Sequence, residues 1–186
     1  MKIHIQETKL LSDNWYILKK YKYLSGEETH EREVYDRGNG AVIFLYNKED
    51  QKIMLTRQFR LPTYLNGNED GMLLECCAGL VEKNEDALTC ILRETEEEVG
   101  IRIQKAEKIF ESYMSPGAVT EIISFFTAQY SDSMKVHGGG GVQSEQENIE
   151  VIEMSFMEAR KMYKEGKIKD AKTMMLFQYA IMKEII

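Results

Sequence analysis

The chain has 186 residues, of which 43% are hydrophobic and 30% are charged, a composition typical of a folded globular domain rather than a disordered chain. Its 31 acidic residues exceed its 24 basic residues and give a net charge of −7, which argues against partners such as nucleic acid or an anionic membrane. The amino-terminal residues show no apolar signal segment, and the three cysteines lack metal-ligand spacing. We therefore expect reduced thiols and a cytoplasmic location.

The first 80 residues are predicted to form mostly β-strands. Alternating or apolar segments bounded by turn residues occur at residues 15–23, 31–36, 41–46, 52–58 and 72–76. Residues 61–71 contain a proline and two glycines and are predicted to be a loop.

The rest of the chain alternates helices and strands. A helix is predicted from the N-cap residue Asn84 to a stop at Gly100. Then follow predicted strands at about 106–113 and 122–130, a polar loop at 131–148, a strand at 149–154, and helices at about 156–165 and 170–185. This order predicts an α/β layered domain.

The predicted central helix carries most of the net charge. Residues 79–100 contain seven acidic and two basic side chains, which accounts for five of the seven net negative charges. The side chains at helical spacing that are predicted to face the core are Leu88, Ile91, Leu92, Thr95 and Val99. Glu94, Glu97 and Glu98 project from the other side. An acidic run is usually a solvated helix face, but the i, i+3, i+4 spacing of these carboxylates also predicts a site for a hard divalent cation.

This segment resembles the signature of the Nudix hydrolases, G-x5-E-x7-R-E-U-x-E-E-x-G-U. The matching residues are Gly79, Glu85, Arg93, Glu94, Glu97, Glu98, Gly100 and Ile101. Thr95 stands where the signature has an aliphatic residue. The resemblance implies a Nudix fold, with a mixed β-sheet sandwiched between helices and an N-terminal antiparallel strand region. It also implies Mg²⁺ or Mn²⁺ as cofactor and hydrolysis of a nucleoside diphosphate linked to another group.

The resemblance also implies roles for residues of the signature segment. Glu94, Glu98 and the backbone carbonyl of Ala78 would be metal ligands, and Glu97 a ligand or a water-orienting carboxylate. Arg93 would orient a glutamate, and Glu85 would tie the start of the helix to the preceding loop.

A longer resemblance, over about residues 11–180, is to the GDP-mannose pyrophosphatase branch of this family. It is carried by the segments Arg32–Ala41, Arg57–Arg60, Asn66–Glu69, Cys77–Leu80 and Tyr113–Gly117, together with the glycine loop Gly138–Gly141. It implies hydrolysis of GDP-mannose to GMP and mannose 1-phosphate. It also implies a homodimer in which the N-terminal strands of residues 1–40 are exchanged and residues 41–186 form the Nudix domain.

The branch further implies a set of substrate-binding residues. Arg60 would contact the diphosphate, as suits a planar guanidinium, and Trp15 would stack on the guanine. The other residues implied to bind substrate are Glu31, Arg32 and Glu33 near the dimer interface, Ala78, Gly79 and Leu80 in the signature loop, Glu121 on the sugar side, and Lys172 near the pocket.

The glycine loop is expected to supply one further catalytic and metal-binding carboxylate, and to act as a lid. Counting back from Ile149 selects Glu147, which we favour, whereas counting forward from the glycines selects Glu145.

Two other functions remain open from the sequence. An ADP-ribose pyrophosphatase would share the dimer plan and Pro116, but that group commonly has proline where this chain has Cys77. A non-catalytic domain that senses nucleotide sugars would have lost signature carboxylates, and all of them are present.

Overall fold

The computed structural model describes residues 2–142 and 148–186. The strands within these residues are β1 (Ile3–Ser12), β2 (Ile17–Ser25), β3 (Glu28–Asp36), β4 (Gly40–Asn47), β5 (Lys52–Phe59), β6 (Met72–Glu75), β7 (Ala78–Leu80), β8 (Glu107–Tyr113), β9 (Ile122–Gln129) and β10 (Glu150–Ser155). The helices are α1 (Leu61–Leu65), α2 (Ala87–Val99), α3 (Phe156–Lys164) and α4 (Ala171–Met182). No helix in this part of the chain is long and apolar enough to cross a membrane.

The described chain divides into two compact units. One comprises the residues up to Gly40 together with Glu111–Ile123, and the other comprises Ala41–Phe110 and Ser124–Ile186. The prediction that the Nudix domain begins at residue 41 and that residues 1–40 are exchanged between protomers stays a prediction.

The first unit is built on a three-stranded antiparallel sheet in the order β1-β2-β3. The segment Glu111–Ile123 joins it through backbone hydrogen bonds such as that from Tyr35 N to Ala118 O, at 2.8 Å. We predicted no strand before residue 15, so β1 is an element that the sequence analysis missed. Nine of its ten residues are exposed, including Ile3 and Ile5, so the strand lacks the alternation of a half-buried strand.

The second unit holds the main core. Its sheet has the order β10-β5-β4-β9-β8, with β6 paired to β5 and β7 paired to β4. Every residue of β4 except Tyr46 is buried. Such a continuous apolar run is typical of a strand covered on both faces.

Helices cover both faces of β4. Successive side chains of a strand point to opposite faces of the sheet, so neighbouring residues of β4 meet different helices. Ile43 and Leu45 lie in one core cluster with Cys90 and Ile91 of α2. Phe44 instead meets Phe177 of α4 edge to face, with ring centroids 5.5 Å apart. The predicted α/β layering is confirmed.

Several local predictions were wrong. Residues 61–71 were predicted to be a loop but contain α1, which has a proline at its start, and a short 3-10 turn, Asp132–Met134, lies in the predicted polar loop. The helix α2 is capped by Asp86, whose side chain accepts a hydrogen bond from Thr89 N at 2.7 Å, and not by Asn84, which lies outside the helix with a φ of 72°. The predicted stop at Gly100 is confirmed by its left-handed φ of 70°.

Candidate active site

The buried face of α2 includes two of its carboxylates. Glu94 and Glu98 are 9% and 2% exposed, and both lie on the same side as Cys90. Leu88, which we expected in the core, is 41% exposed. Of the other predicted core positions, Ile91, Thr95 and Val99 are buried. The buried face extends beyond them to Cys90, Glu94 and Glu98, which follow one another at i, i+4 spacing. Glu94 and Glu98 are therefore not part of a solvated helix face.

Arg93 organises the carboxylates around α2. Its Nη1 donates to Glu94 Oε1 at 2.9 Å and to Glu97 Oε2 at 2.8 Å, while its Nε donates to Glu85 Oε1 at 3.1 Å. The hydrogen bond with Glu85 is the largest cause of the raised pKa of Arg93, and it lowers the pKa of the Glu85 carboxyl in turn. Glu85 Oε2 also accepts from the backbone N–H of Glu82 at 3.1 Å, which ties the loop to the helix. These contacts agree with the roles expected for Arg93 and Glu85.

The short strand β7 brings backbone close to the two buried glutamates. Ala78 N donates to Glu98 Oε2 at 3.1 Å and so fixes that carboxylate. Gly79 lies so close to Glu94 that a Cβ at this position would overlap the Glu94 carboxyl group. The signature glycine therefore leaves room for the Glu94 carboxyl group beside the backbone of β7.

The chemistry of these donors fits a divalent cation. Hard cations prefer carboxylate and carbonyl oxygens, and the carboxylates of Glu98 and Glu94 lie against the backbone of the neighbouring residues Ala78 and Gly79. Among the described residues, no three acidic, cysteine or histidine side chains already form a metal cluster. Arg93 instead bridges Glu94 and Glu97.

A second charged cluster lies where β5 and β6 end and α4 begins. Arg60 Nε donates to Glu75 Oε2 at 2.7 Å, and Lys172 Nζ donates to Glu75 Oε1 at 3.3 Å and to Asp170 Oδ1 at 2.7 Å. Burial alone would lower the pKa of Arg60 and of Lys172, but the neighbouring carboxylates outweigh it and raise both values. Both side chains therefore carry a positive charge.

The structure thus joins two predicted site residues, Arg60 and Lys172, through two residues that the sequence analysis missed. Glu75 and Asp170 are 2% and 8% exposed. A signal for Glu75 was available, because a glutamate ends the otherwise apolar strand Met72–Glu75 directly before the signature segment. A buried carboxylate in such a strand requires cationic partners.

Of the remaining predicted substrate residues, Leu80 lies in β7, where its carbonyl accepts from Arg93 Nη2 at 3.4 Å, and the others lie in the first unit. Trp15 is 75% exposed and contacts Tyr16 edge to face. Glu121 Oε1 pairs with Arg37 Nε at 3.2 Å.

Glu31, Arg32 and Glu33 lie on β3. They face Lys22, Tyr21 and Lys20 of β2 across the antiparallel register. Glu31 forms an ion pair with Lys20, and both side chains are at least 41% exposed.

The glycine loop is bound to the end of α2. Gly140 N donates to Glu98 O at 2.9 Å and Gly141 N donates to Glu97 O at 3.1 Å, so these glycines satisfy carbonyls of the last helical turn. The two residues considered for the loop carboxylate, Glu145 and Glu147, lie outside the described residues.

Two family models match most of the chain. The NUDIX domain model matches residues 36–177, and the model described as the GDP-mannose pyrophosphatase NudK N-terminal domain matches residues 2–35. The solved structure titled "Crystal structure of ADP compounds hydrolase" covers 100% of this chain and 98% of its own with a TM-score of 0.76 at 14% identity, which shows the same fold.

Curated relatives have a higher sequence identity to this chain. The GDP-mannose pyrophosphatase of Pectobacterium atrosepticum is 52% identical, over 97% of this chain and 95% of that protein. The GDP-mannose pyrophosphatase of Yersinia enterocolitica is 51% identical, over 97% and 95%. Together with the intact signature on α2 and β7, these matches place the chain in the Nudix hydrolase family, in the group that includes the GDP-mannose pyrophosphatases.

Proposed function

We propose that this chain hydrolyses GDP-mannose to GMP and mannose 1-phosphate, with Mg²⁺ as its cofactor. The observation that carries the proposal is about one-half identity, over nearly the full length of both chains, to proteins named GDP-mannose pyrophosphatase. The complete set of signature carboxylates on α2 supports an active enzyme rather than a domain that only binds nucleotide sugars.

The reaction breaks one bridging P–O bond of the diphosphate, and water supplies a hydroxyl to one phosphorus and a proton to the departing phosphate. When bound, Mg²⁺ would neutralise charge on the phosphoryl oxygens and lower the pKa of a coordinated water. Glu94, Glu98 and the Ala78 carbonyl would hold the cation. Glu97, whose side chain is 34% exposed, is open to solvent and would orient the water, and we assign the further loop carboxylate to Glu147.

Four side chains are candidates to bind the substrate. Arg60 and Lys172 are the cations suited to the diphosphate, because guanidinium and ammonium groups donate charge-assisted hydrogen bonds to phosphate oxygens. The exposed ring of Trp15 is free to stack on a guanine. Glu121 would contact the sugar, exchanging its ion pair with Arg37 for hydroxyl groups.

We further propose a homodimer in which the N-terminal strands are exchanged, in a cytoplasmic protein. The exposed apolar residues of the edge strand β1 support this, because exposed strand edges with Ile3, Ile5 and Leu10 are suited to pairing with another chain. Glu31, Arg32 and Glu33 would then reach the substrate near the interface. Light scattering should give twice the mass of the chain, and a monomeric mass would remove the basis for these three roles.

A panel of nucleoside diphosphate sugars tests the substrate assignment. With Mg²⁺ present, we expect the largest kcat/KM for GDP-mannose. Faster turnover of ADP-ribose would make the protein an ADP-ribose pyrophosphatase instead, and no turnover of any member of the panel would favour a nucleotide-sugar sensor.

A further inference from the structure

The buried carboxylate of Glu75 forms ion pairs with two partly exposed cations, Arg60 and Lys172. Its side chain is 3% exposed, whereas those of Arg60 and Lys172 are 41% and 20% exposed. One carboxylate oxygen binds Arg60 Nε and the other binds Lys172 Nζ. Each cation is thus held from the protein interior while part of it reaches solvent.

Lys172 also donates a hydrogen bond to a second carboxylate, that of Asp170. Asp170 Oδ1 accepts from Lys172 Nζ, and Asp170 Oδ2 accepts from both the backbone N–H and the hydroxyl of Thr173 at 2.8 Å. The Thr173 hydroxyl in turn accepts from Cys76 N at 2.7 Å. The start of α4 and the end of β6 therefore form one hydrogen-bonded assembly around the two cations.

Arg60 retains donors for a ligand. A guanidinium has five N–H groups, and among the described residues the recorded side-chain hydrogen bond of Arg60 is the one from Nε to Glu75. The Nη1 and Nη2 groups form the fork that suits two phosphate oxygens. The Glu98 carboxylate also contributes to the raised pKa of Arg60.

We propose that Glu75 is a positioning residue that fixes Arg60 and Lys172 side by side as a clamp for the diphosphate of the substrate, an inference that rests on the proposed function. The negative charge of Glu75 orients Arg60 and Lys172 before the substrate binds. These two side chains therefore lose less conformational entropy on binding. Asp170 completes the arrangement by holding Lys172 from the side of α4.

The primary test is substitution Glu75→Gln. The amide keeps the size of the side chain, but it has no charge and turns an NH₂ group toward one of the two cations. We expect the KM for GDP-mannose to rise about tenfold, as for loss of a charge-assisted contact, with kcat changed less than about threefold. The dissociation constant of GDP-mannose, measured by calorimetry with the metal chelated, should rise by a similar factor.

Two further variants separate positioning from general stability. In an Arg60→Gln background, Glu75→Gln should raise KM much less than it does alone, because a group on which it acts is missing. Glu153→Gln is the matched control, because Glu153 on β10 likewise forms ion pairs with two lysines, Lys52 and Lys135. It should lower the melting temperature and leave KM unchanged.

An unchanged KM and dissociation constant in Glu75→Gln would overturn the inference, as would fully additive effects in the double variant. If Glu75→Gln does not fold, Glu75→Asp carries the test, because its shorter carboxylate cannot reach both cations and should raise KM to a smaller extent. A different preferred substrate for the wild type would instead count against the proposed function, and the KM comparison would then use that substrate.

Discussion

The helix α2 and the β2–β3 hairpin are both dense in charge, but they use it in opposite ways. On the hairpin, lysines of β2 face glutamates of β3 across the register, and the Lys20–Glu31 pair is 41% and 50% exposed. On α2, Glu94 and Glu98 are buried against the backbone of β7. Exposed pairs are screened by water and contribute little, whereas buried carboxylates must be held by specific partners. Burial of the carboxylates, rather than their number, therefore distinguishes the candidate site.

The largest effect is expected when charge is removed from the buried face of α2. Glu98→Gln should lower kcat by about 10²–10³-fold, the effect of losing one group that stabilises developing charge. Glu96→Gln is the control on the same helix, because Glu96 pairs with Arg102 on the exposed side, and it should retain activity. Steady-state kinetics with Mg²⁺ measures both, and similar losses in the two variants would contradict a distinct role for the buried face.

The close approach of β7 to α2 can be tested by adding one methyl group. Gly79→Ala would place a Cβ in the space of the Glu94 carboxyl group, so we expect a loss of about 1–3 kcal/mol in unfolding free energy, as for overpacking, together with reduced kcat. Gly117→Ala is the matched control, because a Cβ at this position would meet no other atom within 4 Å. Urea unfolding measures both, and equal stability of the two variants would contradict the close packing.

The link between Glu85 and Arg93 predicts a dependence of stability on pH. Because the hydrogen bond from Arg93 lowers the pKa of Glu85 in the folded chain, its contribution is fully present above the unfolded pKa of about 4.3 and is lost as the pH falls through the lower folded value. Glu85→Gln should be less stable than wild type at pH 7 and should lose less stability between about pH 5 and 3. Substitution of the exposed Glu69 serves as control. If the stability of Glu85→Gln depended on pH as steeply as that of the wild type, the link between Glu85 and Arg93 would be contradicted.

The smallest effect is expected on the hairpin. Lys20→Gln removes an exposed ion pair, so the melting temperature and the KM should stay close to wild type. Thermal unfolding and kinetics check this. A large loss of stability would show that the charges of the hairpin are organised as tightly as those of α2.

The sequence predicted α2 and its carboxylates well because the signature has fixed spacing and the helix has clear end signals. The predicted core residues Ile91, Thr95 and Val99 are buried. The sequence missed that the buried face also includes Glu94 and Glu98, because only the fold places β7 against them. It also missed Glu75, because its cationic partners Arg60 and Lys172 are distant in sequence and only the fold brings these groups together. It missed Asp170 as well, although the partner of that residue, Lys172, is a near neighbour in sequence. Strand β1 was missed because its exposed residues lack an alternating pattern.

We propose that the carboxylates of α2 support metal-dependent cleavage of a nucleoside diphosphate sugar. Phosphorus NMR of GDP-mannose incubated with the protein tests it most directly, with Mg²⁺ in one sample and a chelator in the other. We predict equal amounts of GMP and mannose 1-phosphate with Mg²⁺ and intact substrate with the chelator. Release of GDP and free mannose, or equal cleavage in the chelated sample, would contradict the account.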